Sequence, residues 1–485
     1  MSILRRAVRG AVWVASASYL GVVISFAGNL ALARLLFPAD FGVYALATSL
    51  LSLVTMLGGF GSQEAIIQFR EEKNSADVER LIAMSFWTSC IIGFGIALIG
   101  TCIGLIASHY YDNNVSRLVI ILSWTSMVNT IALTYAAILQ RDFNFKPIAV
   151  VKVLTGIISF GSAAVLASQG WGVWSLAAKD VIGTMITLLG MIWAAKYRPI
   201  FAFDRTDFLW ILSFGWRMMV SRISEVLFGR VDNLVVGTFL GTVSLGYYSQ
   251  AYRLALLGHQ FTHGALSSVI YSSFAHVQKS SSKLQYVYER IYFWLPRFII
   301  PLGIIVWLLG KEVVVLVYGT KWEEAGIVLE AMAVFVVFAP LSDTLKELLV
   351  GVGRIDTVVR YRVVQLGIFF PTVIAAVYWG GLNAVVWSVN LSVFLFWLLL
   401  WHATTEIVRS GWKYLLQPPL IAGIGSALAG RVISVAGGSS EVLIAHIAFT
   451  ASATVCIYGV LLFTIDRRAW LREFRILNAA RTANV

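Results

Sequence analysis

Charge is scarce in this chain. Of its 485 residues, 13% are Asp, Glu, Lys or Arg, about half the share of an ordinary soluble domain. A soluble globule of this size is thereby excluded. Cysteine is rarer still: Cys90, Cys102 and Cys456 each lie inside an apolar run and lack metal-ligand spacing. Neither a disulfide framework nor a metal site is expected from them. Catalytic signatures are missing too, with no HExxH, no P-loop, no Cys/His cluster and no long loop bearing paired carboxylates. We therefore expect no enzyme, no cofactor and no ATP-driven step carried by this chain. The formal net charge of +12 is spread over short loops, with no basic domain or stripe, so nucleic acid is not an expected partner.

Apolar residues fill the space that charge leaves, at 59% of the chain. A membrane span needs about 20 mostly apolar residues, and about fourteen such stretches follow one another: 12–33, 41–60, 81–107, 118–139, 148–168, 172–195, 208–229, 245–274, 291–309, 325–350, 358–379, 382–401, 414–435 and 441–465. Arg5, Arg6, Arg9 and Ala15-Ser16-Ala17 imitate a signal peptide, but apolar character runs on to Ala33, so an uncleaved first helix is expected. The 61–80 loop has helical periodicity with many charges and reads as a surface helix. With the N-terminus cytoplasmic, most of the 37 Lys and Arg fall on the inner side, whereas Arg34, Arg117, Arg230, Lys311, Lys321 and Arg431 fall outside. That alternation predicts cytoplasmic termini and an even helix count.

The two halves repeat. Leu36, Gly42, Tyr44 and Ala47 recur at a constant offset as Leu240, Gly246, Tyr248 and Ala251, and Val173-Trp174-Ser175 recurs as Val386-Trp387-Ser388. Six spans separate the counterparts, so the repeats are parallel. The expected fold is an all-α polytopic membrane protein: two six-helix lobes around a central cavity, plus two C-terminal helices. The lobes would cover 1–205 and 206–410, the extra helices 411–465, and a basic cytoplasmic tail 466–485. Arg467 to Arg481 in that tail would rest on anionic lipid or dock an assembly partner.

Charges within spans are costly and are functional candidates. Arg217, Arg222 and Glu225 fall in the seventh span, and Arg253 in the eighth. A cationic cavity wall of Arg217, Arg222 and Arg253 would suit a phosphate-bearing substrate; the alternative is ion pairs between helices or snorkelling to headgroups. Lys179-Asp180 reads as a self-neutralising pair. Asp343, Lys346 and Glu347 share the tenth span with Glu330, as a coupling cluster or as an ion-pair strut. Glu225, Asp343 and Glu347 are the ion-coupling candidates. Arg34 and Asp40 flank Pro38 and would stabilise a turn. Trp216 and Tyr252 are candidates to stack on sugar rings.

The segments Ala31–Ala45, Gly59-Phe60-Gly61 and Ala65–Gln68, then Leu245–Leu254, Tyr318-Gly319 and Trp322, resemble the Wzx-type polysaccharide-exporter family. That family is a branch of the superfamily that includes lipid-II flippases and MATE drug exporters. The resemblance covers roughly 10–410 and implies a flippase of a bacterial inner membrane. It would move polyprenyl-pyrophosphate-linked oligosaccharide repeat units outward for exopolysaccharide, capsule or O-antigen synthesis. Membrane lipids, a periplasmic polymerase or co-polymerase, and H+ or Na+ as coupling ion are the implied partners. The rival readings are a MATE-like small-molecule exporter, a lipid-II flippase and a non-transporting scaffold.

Overall fold

A computed structural model of the protein describes residues 3–56, 66, 75–201, 205, 229–260, 267–409, 411–436 and 443–473. The predicted seventh span, apart from 229, and residues 61–65 and 67–74 of the predicted surface helix lie outside the described residues. Among the described residues the chain is helical throughout, without strands. Among those residues, nine helices are long and apolar enough to cross a membrane, or ten when one bent pair counts as a span. The all-α polytopic reading holds. The chain divides into two compact units, Met1–Gly246 and Tyr247–Val485.

In the first unit, α1 (Ile3–Leu35), α2 (Pro38–Thr55), α3 (Ser75–Ala107), α4 (Asn113–Arg141), α5 (Phe145–Ser168) and α6 (Val173–Ala195) match the first six predicted spans. The first helix is continuous through the signal-like segment. Pro38 can open α2 because the first turn has no use for its missing N–H. The Asp40 carboxylate accepts the Phe37 N–H at 3.0 Å, which confirms the turn-stabilising role expected of it. In apolar surroundings, helix hydroxyls bond inward. Thr134 on α4 donates to Ser89 on α3 at 3.0 Å, and such bonds hold neighbouring spans together.

α7 (Gly241–His259) starts in the first unit and ends in the second. Its opening turn carries the repeat into three dimensions. A Cβ at Gly42 would overlap the carbonyl oxygen of Thr242, and one at Gly246 would overlap the carbonyl of Pro38. Each glycine thus seats the backbone of the other motif. Within the first unit, the two repeat copies are packed reciprocally at a distance that only glycine permits.

The second unit continues with α8 (Ser267–Val277), α9 (Ser281–Tyr318), α10 (Glu323–Ala331), α11 (Ala333–Gly351), α12 (Ile355–Thr405), α13 (Trp412–Leu415), α14 (Gln417–Ala436) and α15 (Leu443–Ile465). Of the predicted eighth span, 245–274, α7 carries the part up to His259 and α8 the part from Ser267, and 261–266 lie outside the described residues. α12 holds two predicted spans, broken at Gly381 with φ 61° and ψ −149°. Gly172, just before α6, has φ 53° and ψ −133°, so the last helix of each repeat follows the same left-handed glycine break. α10 and α11 bend by 49° at Met332. The Asn390 side chain spans that bend, accepting the Phe335 N–H at 3.1 Å and donating to the Ala331 carbonyl at 2.6 Å. Backbone groups freed at a kink inside a bilayer need such partners.

Candidate functional site

Five polar side chains converge in the second unit, from the end of α7, the start of α8 and the middle of α11. Asp343 accepts hydrogen bonds from His259 Nε2 at 2.8 Å and from Lys346 Nζ at 2.8 Å. One turn further along α11, Glu347 accepts from Ser267 Oγ at 2.5 Å. Asp343 and Glu347 stand at i and i+4 and share one helix face. Glu347 is 8% exposed, so its hydroxyl partner replaces water that the site largely lacks. The bond from His259 requires its proton on Nε2.

This geometry links three helices through two carboxylates. Protonating Asp343 would remove the charge that holds both His259 and Lys346. Sequence reasoning picked out Asp343, Lys346 and Glu347 but missed His259 and Ser267. Both lie on other helices, and no local pattern pairs them with α11.

The remaining sequence candidates are placed differently. Arg217, Arg222 and Glu225 lie outside the described residues, as does Trp216. Arg253 is exposed on α7; six residues before His259, it points about a third of a turn away from it. Tyr252 stacks on Tyr248 with ring centroids 5.9 Å apart and tilts against Phe335 at 5.1 Å. In the first unit, Lys179 and Asp180 do form a pair, at 3.0 Å. Tyr44 joins them, donating to Asp180 at 2.5 Å. The Lys179 ammonium also faces the Tyr44 and Phe160 rings at 5.3 and 5.5 Å, a stabilising arrangement in a dry setting. Tyr44 was visible in the sequence only as a letter of the repeat.

A buried arginine passed over in the sequence proves structural. Arg297 on α9 is 4% exposed and pairs with Asp466 just after α15. It also donates to the carbonyls of Phe293 at 2.5 Å and Tyr414 at 3.2 Å. Beyond Asp466, Trp470 meets Phe293 and Trp294 edge-on, and Glu473 pairs with Arg290. The segment after α15 is thus clasped along α9 by two ion pairs with an aromatic contact between them. Arg467, Arg468 and Arg472 remain exposed on its other side.

Residues 31–327 match the model of a family described as polysaccharide biosynthesis protein. The succinoglycan biosynthesis transport protein ExoT of Rhizobium meliloti (strain 1021) is 25% identical over 93% of this chain and 90% of its own length. The lipopolysaccharide biosynthesis protein WzxC of Escherichia coli (strain K12) is 22% identical over 77% of this chain and 76% of its own. Among solved structures, the lipid II flippase MurJ in an inward closed conformation aligns with a TM-score of 0.75 at 12% identity, covering 94% of this chain and 99% of MurJ. An inward-facing MATE-family multidrug transporter aligns at 0.64, with 17% identity and 80% and 95% coverage. The fold is that of these transporters.

Proposed function

Because the chain belongs to the polysaccharide biosynthesis protein family, we propose that it is a flippase for polyprenyl-pyrophosphate-linked oligosaccharide repeat units. It works in a bacterial inner membrane with both termini cytoplasmic, and it supplies a periplasmic polymerase. The observation that carries this reading is the family match over 31–327, joined to a relative named as a succinoglycan transport protein along nearly the whole chain. The likeness in fold to MurJ supports it. The chain acts as a transporter and not as an enzyme.

In this mechanism, lobes 1–205 and 206–410 alternate access to a shared path. Arg217, Arg222 and Arg253 receive the pyrophosphate, for which a guanidinium fork is suited. Asp343, with His259 and Lys346 attached, and Glu347, with Ser267, take up H+ or Na+ and reset the second lobe; Glu225 is the further candidate. The exposed Arg467, Arg468 and Arg472 rest on anionic headgroups.

The test is leaflet translocation of a polyprenyl-pyrophosphate oligosaccharide in proteoliposomes, with organic-cation efflux measured alongside. Protein-dependent movement of the glycolipid alone is expected. Movement of the cation alone would make the protein a drug exporter. In cells, the Arg217→Ala/Arg222→Ala double variant is expected to abolish polymer export at normal protein level. Normal export would remove those arginines from the path.

A further inference from the structure

α8 and α9 enclose an apolar groove of about 730 Å³ in the second unit, a size typical of ligand sites. Ile270 of α8 faces Val287, Ile291, Trp294 and Phe298 of α9 across it. Along α9 the lining runs from Tyr286 to Ile299, about 20 Å at the helical rise. That is slightly more than one leaflet of a hydrocarbon core. Phe298 and Val269 are exposed at the surface, so the groove opens sideways toward lipid.

Its chemistry is asymmetric. Arg290 lies near one end of the lining, and Lys279 and Lys283 are exposed just beyond that end. The Arg290 guanidinium bonds Tyr286 Oη at 3.1 Å and is paired with the Glu473 carboxylate. A carboxylate oxygen on a guanidinium marks a place where a phosphate oxygen also fits. The helical stretch that carries Glu473 is held beside the groove by Trp470 against Trp294.

We propose that this groove seats the isoprenoid chain of a prenyl-phosphate lipid, its phosphate displacing the Glu473 carboxylate from Arg290. The inference rests on the transport reading only for the choice of an isoprenoid. A slot one leaflet deep, with apolar walls and a guanidinium at its basic end, matches a lipid with a long chain and an anionic head. Glu473 acts as an internal competitor, so the C-terminal segment regulates occupancy. Loading the lipid releases that segment from Arg290 while Asp466 continues to hold it on Arg297.

The experiment uses the full chain in phosphatidylcholine nanodiscs and a photoactivatable polyprenyl monophosphate, with labelled peptides mapped by mass spectrometry. Labelling is expected on α8 and α9, removed by unlabelled undecaprenyl phosphate and not by phosphatidylglycerol at equal concentration. Arg290→Gln should lower labelling about tenfold, and Glu473→Gln should raise it by several-fold, the scale of one charge-assisted bond. Ile291→Trp, which fills the groove and keeps every charge, should lower it about as much as Arg290→Gln. If the Arg290–Glu473 pair only braces the fold, both charge variants will shift labelling in the same direction, and the proposal fails. Equal competition by phosphatidylglycerol, or labelling elsewhere, also overturns it. Translocation of the oligosaccharide lipid is measured on the same samples. Translocation without groove labelling sinks the groove alone, and groove labelling without translocation sinks the transport reading alone.

Discussion

Arg297 and Asp343 are both ionisable side chains inside apolar helices, and their surroundings call for opposite tests. Arg297 is enclosed by Asp466, three backbone carbonyls and the Phe293 ring 3.6 Å away. It has no room to exchange partners, so its work is to hold α9 to the segment after α15. Removing one member leaves the other charge buried, which costs about 3–5 kcal/mol. Arg297→Met should therefore lower the unfolding temperature in detergent markedly, and the Arg297→Met/Asp466→Leu double variant should recover most of the loss. Failure of the double variant to recover would deny the pair its bracing role. Asp343 instead accepts from His259 on α7 and from Lys346 on its own helix, and is the group proposed to take part in coupling. Asp343→Asn should make translocation insensitive to an imposed pH or Na+ gradient. It should slow gradient-driven transport by roughly tenfold or more, the scale of two lost charge-assisted bonds. A variant that still responds to either gradient would remove Asp343 from coupling.

At the level of elements, the reciprocal seat of Gly42 and Gly246 is the tightest joint between the two repeat motifs. The sequence displayed both glycines at matching positions, because a repeat is visible in letters. That each packs on the carbonyl of the other motif required coordinates, since contact across a fold leaves no local pattern. Gly42→Val and Gly246→Val should each insert normally and lose more than about tenfold in translocation, because a side chain there must push one backbone off the other. Gly161→Val on α5 is the control, since a Cβ there meets no neighbour within 4 Å. Equal loss in the control would reduce the effect to helix propensity.

Across the whole molecule, the place and order of the spans were legible wherever the structure describes them, because each span is a local property of about 20 residues. The first six and the last six predicted spans fall on helices where the apolar runs placed them. The candidate site was half legible: Asp343, Lys346 and Glu347 stand within one turn of α11, whereas His259 is 84 residues from Asp343. The Asp466 partner of Arg297 lies 169 residues away, and nothing in the intervening chain announces it. Orientation, in contrast, is a sum over all loops, and the skew of Lys and Arg to alternate loops makes a direct prediction. After Cys90, Cys102 and Cys456 are replaced by serine, a cysteine at Asp112, between α3 and α4, should react with an impermeant maleimide added to intact cells. A cysteine at Ser280, between α8 and α9, should react only after the membrane is opened. Asp112 and Ser280 sit in loops of opposite predicted side, so the reverse pattern would invert the protein and place the Arg290 end of the α8–α9 groove in the outer leaflet. A flippase that collects its lipid on the cytoplasmic side needs that end in the inner leaflet. One labelling experiment on whole cells therefore tests the loop-charge argument and the direction of transport together.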